Sequence, residues 1–227
     1  MSSNSKPHDY LQDVQKLFTE KTSLYHLVFL DIFRYHKGLK MFLRKSNCLQ
    51  PGMKVLDAGC GSGNLTRNLY EIASEKGLDG ISFHGFDITQ AMLDLFKKWI
   101  SGKKAENVEL SRANVLQPGQ LPVEWKDYDL VVSAAMLEYL PKDEIKDALR
   151  NLRILLKDNG KIIVFITRDN ILMKLLIQIW WKANMYKRSE MMEIFKDAGF
   201  GRIRFKRFPF PYSYLSLWGL IIEAEKG

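Results

Sequence analysis

The groups able to do chemistry in this chain cluster around one glycine turn and two carboxylates. Asp57 ends a short apolar run, Val55-Leu56, and Gly59, Gly61 and Gly63 follow at alternate positions with Cys60 between the first two. An amphipathic segment from Leu65 to Ile72 begins at once. The pattern predicts a buried strand, a tight turn and a helix start. Glycines let the backbone take positive φ or approach a bound molecule, and the N–H groups that open the helix are expected to face that molecule. A second carboxylate, Asp87, ends the run Ile81–Asp87; Asn114-Val115 and the Ser133–Tyr139 loop follow later apolar runs. The dinucleotide fingerprint has two residues between its second and third glycines, whereas only Ser62 separates Gly61 from Gly63. No Gly-Lys-Ser/Thr follows, so no lysine of the P-loop kind is there to grip a phosphate. An adenosine-bearing ligand without phosphates fits best.

These groups need elements to position them. Helical spacing of Val14, Leu17, Leu24, Leu27, Ile32, Leu39 and Leu43 predicts one or two helices over Tyr10–Asn47, which Pro51-Gly52 breaks. The first strand is expected at Lys54–Asp57 and a helix at Asn64–Glu75. A second strand follows at Ile81–Asp87, then a helix at Ala91–Ile100 with Thr89 as its cap. Further strands are expected at Asn107–Leu110, Tyr128–Ala134 and Lys161–Ile166, with a turn at Asp158–Gly160. Helices are expected at Asp143–Leu156, Ile171–Trp181 and Ser189–Ala198, and final strands at Arg202–Phe208 and Tyr214–Ala224. Alternating strands and helices predict an α/β doubly wound sheet, and the nearly all-apolar Tyr128–Ala134 reads as a strand buried on both faces. In such sheets ligands bind beyond the carboxyl ends of the strands, where Asp57, Asp87 and the Ser133–Tyr139 loop lie.

Composition narrows the class. The 227 residues, 46% hydrophobic, suffice for one large core. Two cysteines cannot form a disulfide framework, so a reduced, cytoplasmic setting is expected. The polar stretch Met1–His8 has no apolar signal region, and Ile171–Trp181 is shorter than the roughly 20 residues of a membrane span. The net charge of +8 is spread along the chain, with modest clusters at Lys97–Lys104 and Arg202–Arg207, and reads as a solvated surface ahead of a nucleic-acid footprint. The four histidines show no zinc-ligand spacing, and no metal is expected.

Val55-Leu-Asp-Ala-Gly-Cys-Gly-Ser-Gly63 resembles the first motif of the class I S-adenosylmethionine-dependent methyltransferases. Gly85–Thr89 resembles their second acidic loop, Ala113–Leu116 with Leu121-Pro122 the adenine-side loop, and Tyr128–Pro141 the fourth-strand motif. Leu155–Val164 and Phe195–Phe200 resemble the late motifs, so the likeness runs from about Pro51 to the end. The resemblance implies a three-layer sandwich around a mostly parallel seven-stranded sheet with an antiparallel last strand. It implies a methyltransferase domain over 51–227 with an apolar helical insertion at 169–186, and a helical cap over the substrate side at 1–50. S-adenosyl-L-methionine is the implied cofactor and S-adenosyl-L-homocysteine its product. Gly59, Cys60, Gly61 and Gly63 would then lie along the methionyl part, with Asp57 on its amino group. Asp87 would accept from both ribose hydroxyls. Ile88 would pack on the adenine, with Val115 beside it. Asn114 stands where the family often has Asp, and can both accept from and donate to the adenine edge. Ser133 and Ala134 would border the sulfonium.

Plainer roles compete with several of these. Asp57 or Asp87 can cap a following helix, Asn114 can be a turn residue, and Cys60 a small apolar filler. His84 reads as structural within its strand. Glu138, with Tyr139, follows the fourth strand where many small-molecule members have His. It is either a base that takes a proton from the acceptor or a helix-start residue pointing to water.

Tyr25 and His26 in the first helices, and Trp180 and Trp181 in the insertion, are the substrate-side candidates. Their apolar, aromatic surroundings predict a small hydrophobic acceptor, quinone-like, lipid-like or polyketide-like, methylated in line on O, N or C, and allow peripheral membrane contact. Methylation of RNA or protein is the alternative, although Ser133-Ala-Ala-Met136 stands where base N-methyltransferases carry an Asn-Pro-Pro-Tyr-like tetrad. A non-catalytic cofactor-binding or scaffold protein is a second alternative.

Overall fold

A computed structural model describes residues 34–169 and 184–227. Among them a seven-stranded sheet has the order β3-β2-β1-β4-β5-β7-β6. The strands are β1 (Lys54–Ala58), β2 (Ser82–Asp87), β3 (Val108–Arg112), β4 (Tyr128–Ala134), β5 (Leu156–Thr167), β6 (Phe200–Lys206) and β7 (Gly219–Lys226). All neighbours pair in parallel except β7, which runs antiparallel to both β5 and β6. The helices are α1 (Tyr35–Ser46), α2 (Asn64–Glu75), α3 (Gln90–Lys103), α4 (Ile145–Leu155) and α5 (Arg188–Asp197).

Burial explains the layering. β4 sits centrally, and Leu130, Val131 and Val132 are buried on successive faces. Val131 packs with Leu56, Ile162 and Ile222 against Leu149 and Leu152 of α4 and Phe195 of α5. Leu130 and Val132 pack with Val55, Phe83 and Ile163 against Leu43 of α1, Leu69 of α2 and Phe96 of α3. The apolar positions of α4, Ile145, Ala148, Leu149, Leu152 and Leu155, recur at three- and four-residue spacing, so a single face goes under. Each fully buried leucine there contributes about 1.5–3 kcal/mol. Three layers result, as the family resemblance implied.

The chain winds outward through β1, β2 and β3, then returns to place β4 on the other side of β1. That reversal opens a crevice beyond the carboxyl ends of β1 and β4, which the glycine turn faces.

Local corrections have physical causes. Tyr214–Leu217 is not strand: Ser213–Leu217 is a 3-10 turn that drives Leu215 into the core, and β7 starts only at Gly219. Asp158–Gly160 is not a free turn but a bulge inside β5, where the register against β4 jumps and Asn159 takes φ 60°. Thr89 stands at the start of α3 but makes no side-chain cap bond; its backbone N–H instead donates to Asp87 Oδ1 at 2.8 Å. Of the helices expected over Tyr10–Asn47, Tyr35–Ser46 is helical. The rest of that stretch and Ile171–Trp181 lie outside the described residues.

Candidate active site

The glycine turn is a self-contained knot. Gly59 and Cys60 donate their N–H groups to the Phe86 carbonyl, both at 2.9 Å, and Gly63 donates to the Cys60 carbonyl at 2.8 Å. Gly61 donates to Asp87 Oδ2 at 2.9 Å. These donors are therefore satisfied within the protein. The expectation that the N–H groups opening the helix face the ligand is corrected at Thr66, whose N–H donates to Asp57. A turn so occupied has little left with which to grip a phosphate, in keeping with a phosphate-free ligand.

The three glycines also differ. A Cβ on Gly63 would lie 2.4 Å from the Phe96 ring, and one on Gly59 2.6 Å from Met136, so these two glycines are required by protein packing. Gly61, at φ 51°, faces open space and is the one at which a ligand can approach the backbone.

Asp57 is buried, and its Oδ2 accepts from Thr66 Oγ1 at 2.6 Å and from the Thr66 N–H at 3.2 Å. It thus caps the first turn of α2 from outside the helix. Burial, offset in part by those bonds and reinforced by the Asp87 charge, pushes its carboxyl up to about 7. Burial likewise raises Asp87 above the usual carboxylate range, although both its oxygens accept backbone N–H groups. Neither carboxylate has a cationic side-chain partner among the described residues. Two neighbouring carboxylates with raised proton affinity suit a ligand that brings a cationic amino group and hydroxyl donors, and each oxygen still has lone-pair capacity. The residues present therefore fit S-adenosylmethionine.

The adenine-side candidates are more occupied. Asn114 Oδ1 accepts from the Leu116 N–H at 3.0 Å, an Asx turn, so the turn-residue role is realised. Ile88, half-buried, accepts Arg112 Nε on its carbonyl at 3.2 Å, and Val115 is buried. Ser133 donates its hydroxyl to the Ala58 carbonyl at 2.9 Å, clamping β4 to β1, with Ala134 following at the strand end. Cys60 is buried against Gly85, its thiol pushed well up by burial, which suits an apolar filler and not a nucleophile. His84 bonds Tyr128 Oη through Nδ1 at 2.7 Å and stacks on Trp125, a structural placement.

Glu138 does not point to water. It lies in a 3-10 turn, Leu137–Tyr139, and is 3% exposed. Its Oε1 accepts from Thr167 Oγ1 at 3.0 Å, while Oε2 is buried without a hydrogen-bond partner among the described residues. Burial pushes the carboxyl up to about 7. Tyr139 is buried beside it. Residues 184–186, at the end of the 169–186 segment, pack beside this turn. The Asn184 N–H donates to the Glu138 carbonyl at 2.8 Å, and Asn184 Nδ2 donates to the Leu140 carbonyl at 2.7 Å. Tyr186 bridges to Arg168; its fully buried hydroxyl has no hydrogen-bond partner among the described residues, and its acidity is weakened by burial first and then by Glu138.

The structure thus brings together Asp57, Asp87, the glycine turn, Ser133 and Glu138 at one sheet edge. Tyr25, His26, Trp180 and Trp181 lie outside the described residues. Sequence reasoning missed Thr167 and Met136. Thr167 ends β5, and the rule that strand carboxyl ends carry function would have found it; nothing in the sequence marks Met136 as the neighbour of Gly59.

The family described as a methyltransferase domain matches residues 55–160. A demethylmenaquinone methyltransferase of Bacillus cytotoxicus is 24% identical over 250 residues, covering 99% of each chain. One from Bacillus cereus is 23% identical, covering 95% of this chain and 96% of that one. In fold, the chain is similar to magnesium protoporphyrin IX methyltransferase from Synechocystis with bound S-adenosylhomocysteine, with a TM-score of 0.69 at 19% identity, covering 95% of this chain and 99% of that one. It is also similar to a phosphoethanolamine N-methyltransferase of Haemonchus contortus in complex with S-adenosylmethionine, with a TM-score of 0.71 at 15% identity, covering all of this chain and 61% of that one. The matched domain, the strand order and the two-carboxylate turn agree with one another and support a class I S-adenosylmethionine-dependent methyltransferase.

Proposed function

We propose that the chain methylates a small apolar acceptor of quinol-like character, with Glu138 as the base. S-adenosylmethionine, when bound, supplies a methyl group already activated on a sulfonium. The chain's own residues then have three tasks. Asp57 holds the donor's amino group and Asp87 its ribose hydroxyls. The apolar walls exclude water. Glu138 takes the proton that the acceptor loses, with Thr167 fixing the orientation of its carboxylate.

The observation that carries this reading is the buried Glu138 carboxylate in the turn after β4, with one oxygen tied to Thr167 and the other without a hydrogen-bond partner among the described residues. A carboxylate titrating near 7 is matched to base work at neutral pH. The demethylmenaquinone methyltransferase relatives favour a quinol acceptor. The helical cap over 1–50 and the insertion at 169–186 would cover the acceptor, with Tyr25, His26, Trp180 and Trp181 lining it. Two free thiols, Cys48 and Cys60, agree with work in the cytoplasm.

The test is a product search by mass spectrometry. Purified protein and S-adenosylmethionine are incubated in parallel with a reduced demethylmenaquinone analogue, simple phenols, bulk RNA and bulk protein. Methylation of the quinol or phenols and neither polymer is expected. Transfer to RNA or protein alone overturns the acceptor class, and cofactor binding without any turnover supports a scaffold role instead.

A further inference from the structure

We propose that the connection between β6 and β7 is a docking surface for an anionic lipid bilayer, which holds the open edge of the sheet against the membrane. Because β6 runs parallel to β1, its carboxyl end meets the same edge as the glycine turn. Residues 207–218 therefore run along the active-site edge. They also touch its wall: the Arg168 N–H donates to the Trp218 carbonyl at 2.9 Å, one residue after the Thr167 that holds Glu138.

This connection presents apolar side chains to solvent. Phe210 is 83% exposed, Leu217 58% and Tyr214 39%. Its inner side chains anchor it. Phe208 and Leu215 are buried; Leu215 and Tyr212 press on Gly38 of α1, and Tyr35 packs on Phe208. The buried base holds the exposed apolar side chains in place. Exposed apolar groups gathered in one short connection, rimmed by polar and charged residues, mark an interaction site.

Charge selects the partner. From Phe200 to Leu220 the chain has no acidic residue, and Arg202, Arg204, Lys206 and Arg207 all lie exposed within it. Arg34 and Lys37 are exposed at the start of α1, next to Phe208 and Leu215, and Arg168 donates to the Ser216 carbonyl. Arg202 and Lys206 pair with Glu225 and Glu223 on β7, whereas Arg204, Arg207, Arg34 and Lys37 have no ion pair among the described residues. Unpaired cations around aromatic and aliphatic groups match a bilayer with acidic headgroups: apolar tips enter the interface and each cation adds attraction. A second copy of this chain would bring the same positive charge to the contact and be repelled.

The surface stands whichever acceptor the site takes. If the acceptor is a membrane quinol, docking brings the site to it. The test is co-sedimentation of the full chain with vesicles of phosphatidylcholine alone or mixed with phosphatidylglycerol, at low and high salt, alongside S-adenosylhomocysteine calorimetry. Binding to the anionic vesicles only, weakened by salt, is expected. Phe210→Ser should lower the partition coefficient about tenfold, and Arg207→Gln about fivefold, with cofactor affinity unchanged in both. Three results overturn the proposal: no binding to anionic vesicles; equal binding of wild type and both variants; or a Phe210-dependent dimer in sedimentation with no vesicle binding. None of these bears on methyl transfer, which the product search reads separately.

Discussion

Replacing Glu138 with Gln should make the protein more stable at alkaline pH while it loses activity. The wild-type carboxyl is held at about 7 in the fold against an ordinary 4.5, with burial as the main cause. A carboxyl with a raised folded-state pKa stabilises the fold when protonated. Its contribution is fully present below about 4.5 and is lost as pH rises through about 7. A shift of that size is worth about 3 kcal/mol at about 1.4 kcal/mol per unit. Gln keeps an oxygen for the Thr167 hydroxyl and cannot ionise. Urea unfolding of wild type and Glu138→Gln should therefore coincide near pH 4.5 and separate by up to about 3 kcal/mol at pH 8.5. The same variant should lower kcat by roughly 10²–10⁴-fold, the usual worth of a positioned base. Thr167→Val removes a bond that lowers the Glu138 pKa, and should move the acid limb of the rate profile upward in pH. Parallel stability curves for wild type and Glu138→Gln would refute the buried-carboxylate account. A stability gain with unchanged kcat would refute the base while leaving the burial intact.

Two further outcomes follow from the turn. Gly63→Ala should destabilise by about 2–4 kcal/mol, from its clash with Phe96 and its positive φ. Gly61→Ala meets no protein atom and should cost about 1 kcal/mol while weakening S-adenosylhomocysteine binding tenfold or more; thermal melts and calorimetry on both separate packing from ligand approach. Asp57 must be ionised to hold the donor's amino group, so with its carboxyl near 7 affinity should rise about tenfold from pH 6 to pH 8. Calorimetry across that range on wild type and Asp57→Asn checks this; a profile unchanged by the substitution would remove Asp57 from the ligand.

Much of the scaffold was legible because it rests on local signals. The helix Asn64–Glu75 and the strand Tyr128–Ala134 form over the residues that periodicity marked out, since each buries a regular face or a continuous apolar run. The carboxylates at strand ends could be placed at one edge because parallel winding brings those ends together. The segment Tyr214–Leu217 was not legible as a 3-10 turn: its apolar residues satisfy strand and helix templates alike, and the contact of Leu215 with Gly38 decides between them.

The sequence by itself determined the fold class, the phosphate-free character of the turn and the pair of carboxylates beside it, because those depend on residue type and short spacing. Only the tertiary structure decided which glycine faces a ligand, that Asp57 caps α2, and that Glu138 lies out of water. Each of these depends on what arrives from distant chain: Phe96 and Met136 against the turn, and Thr167 and Tyr186 around the carboxylate. A carboxyl's burial, and so its proton affinity, is set by neighbours that no spacing along the chain encodes.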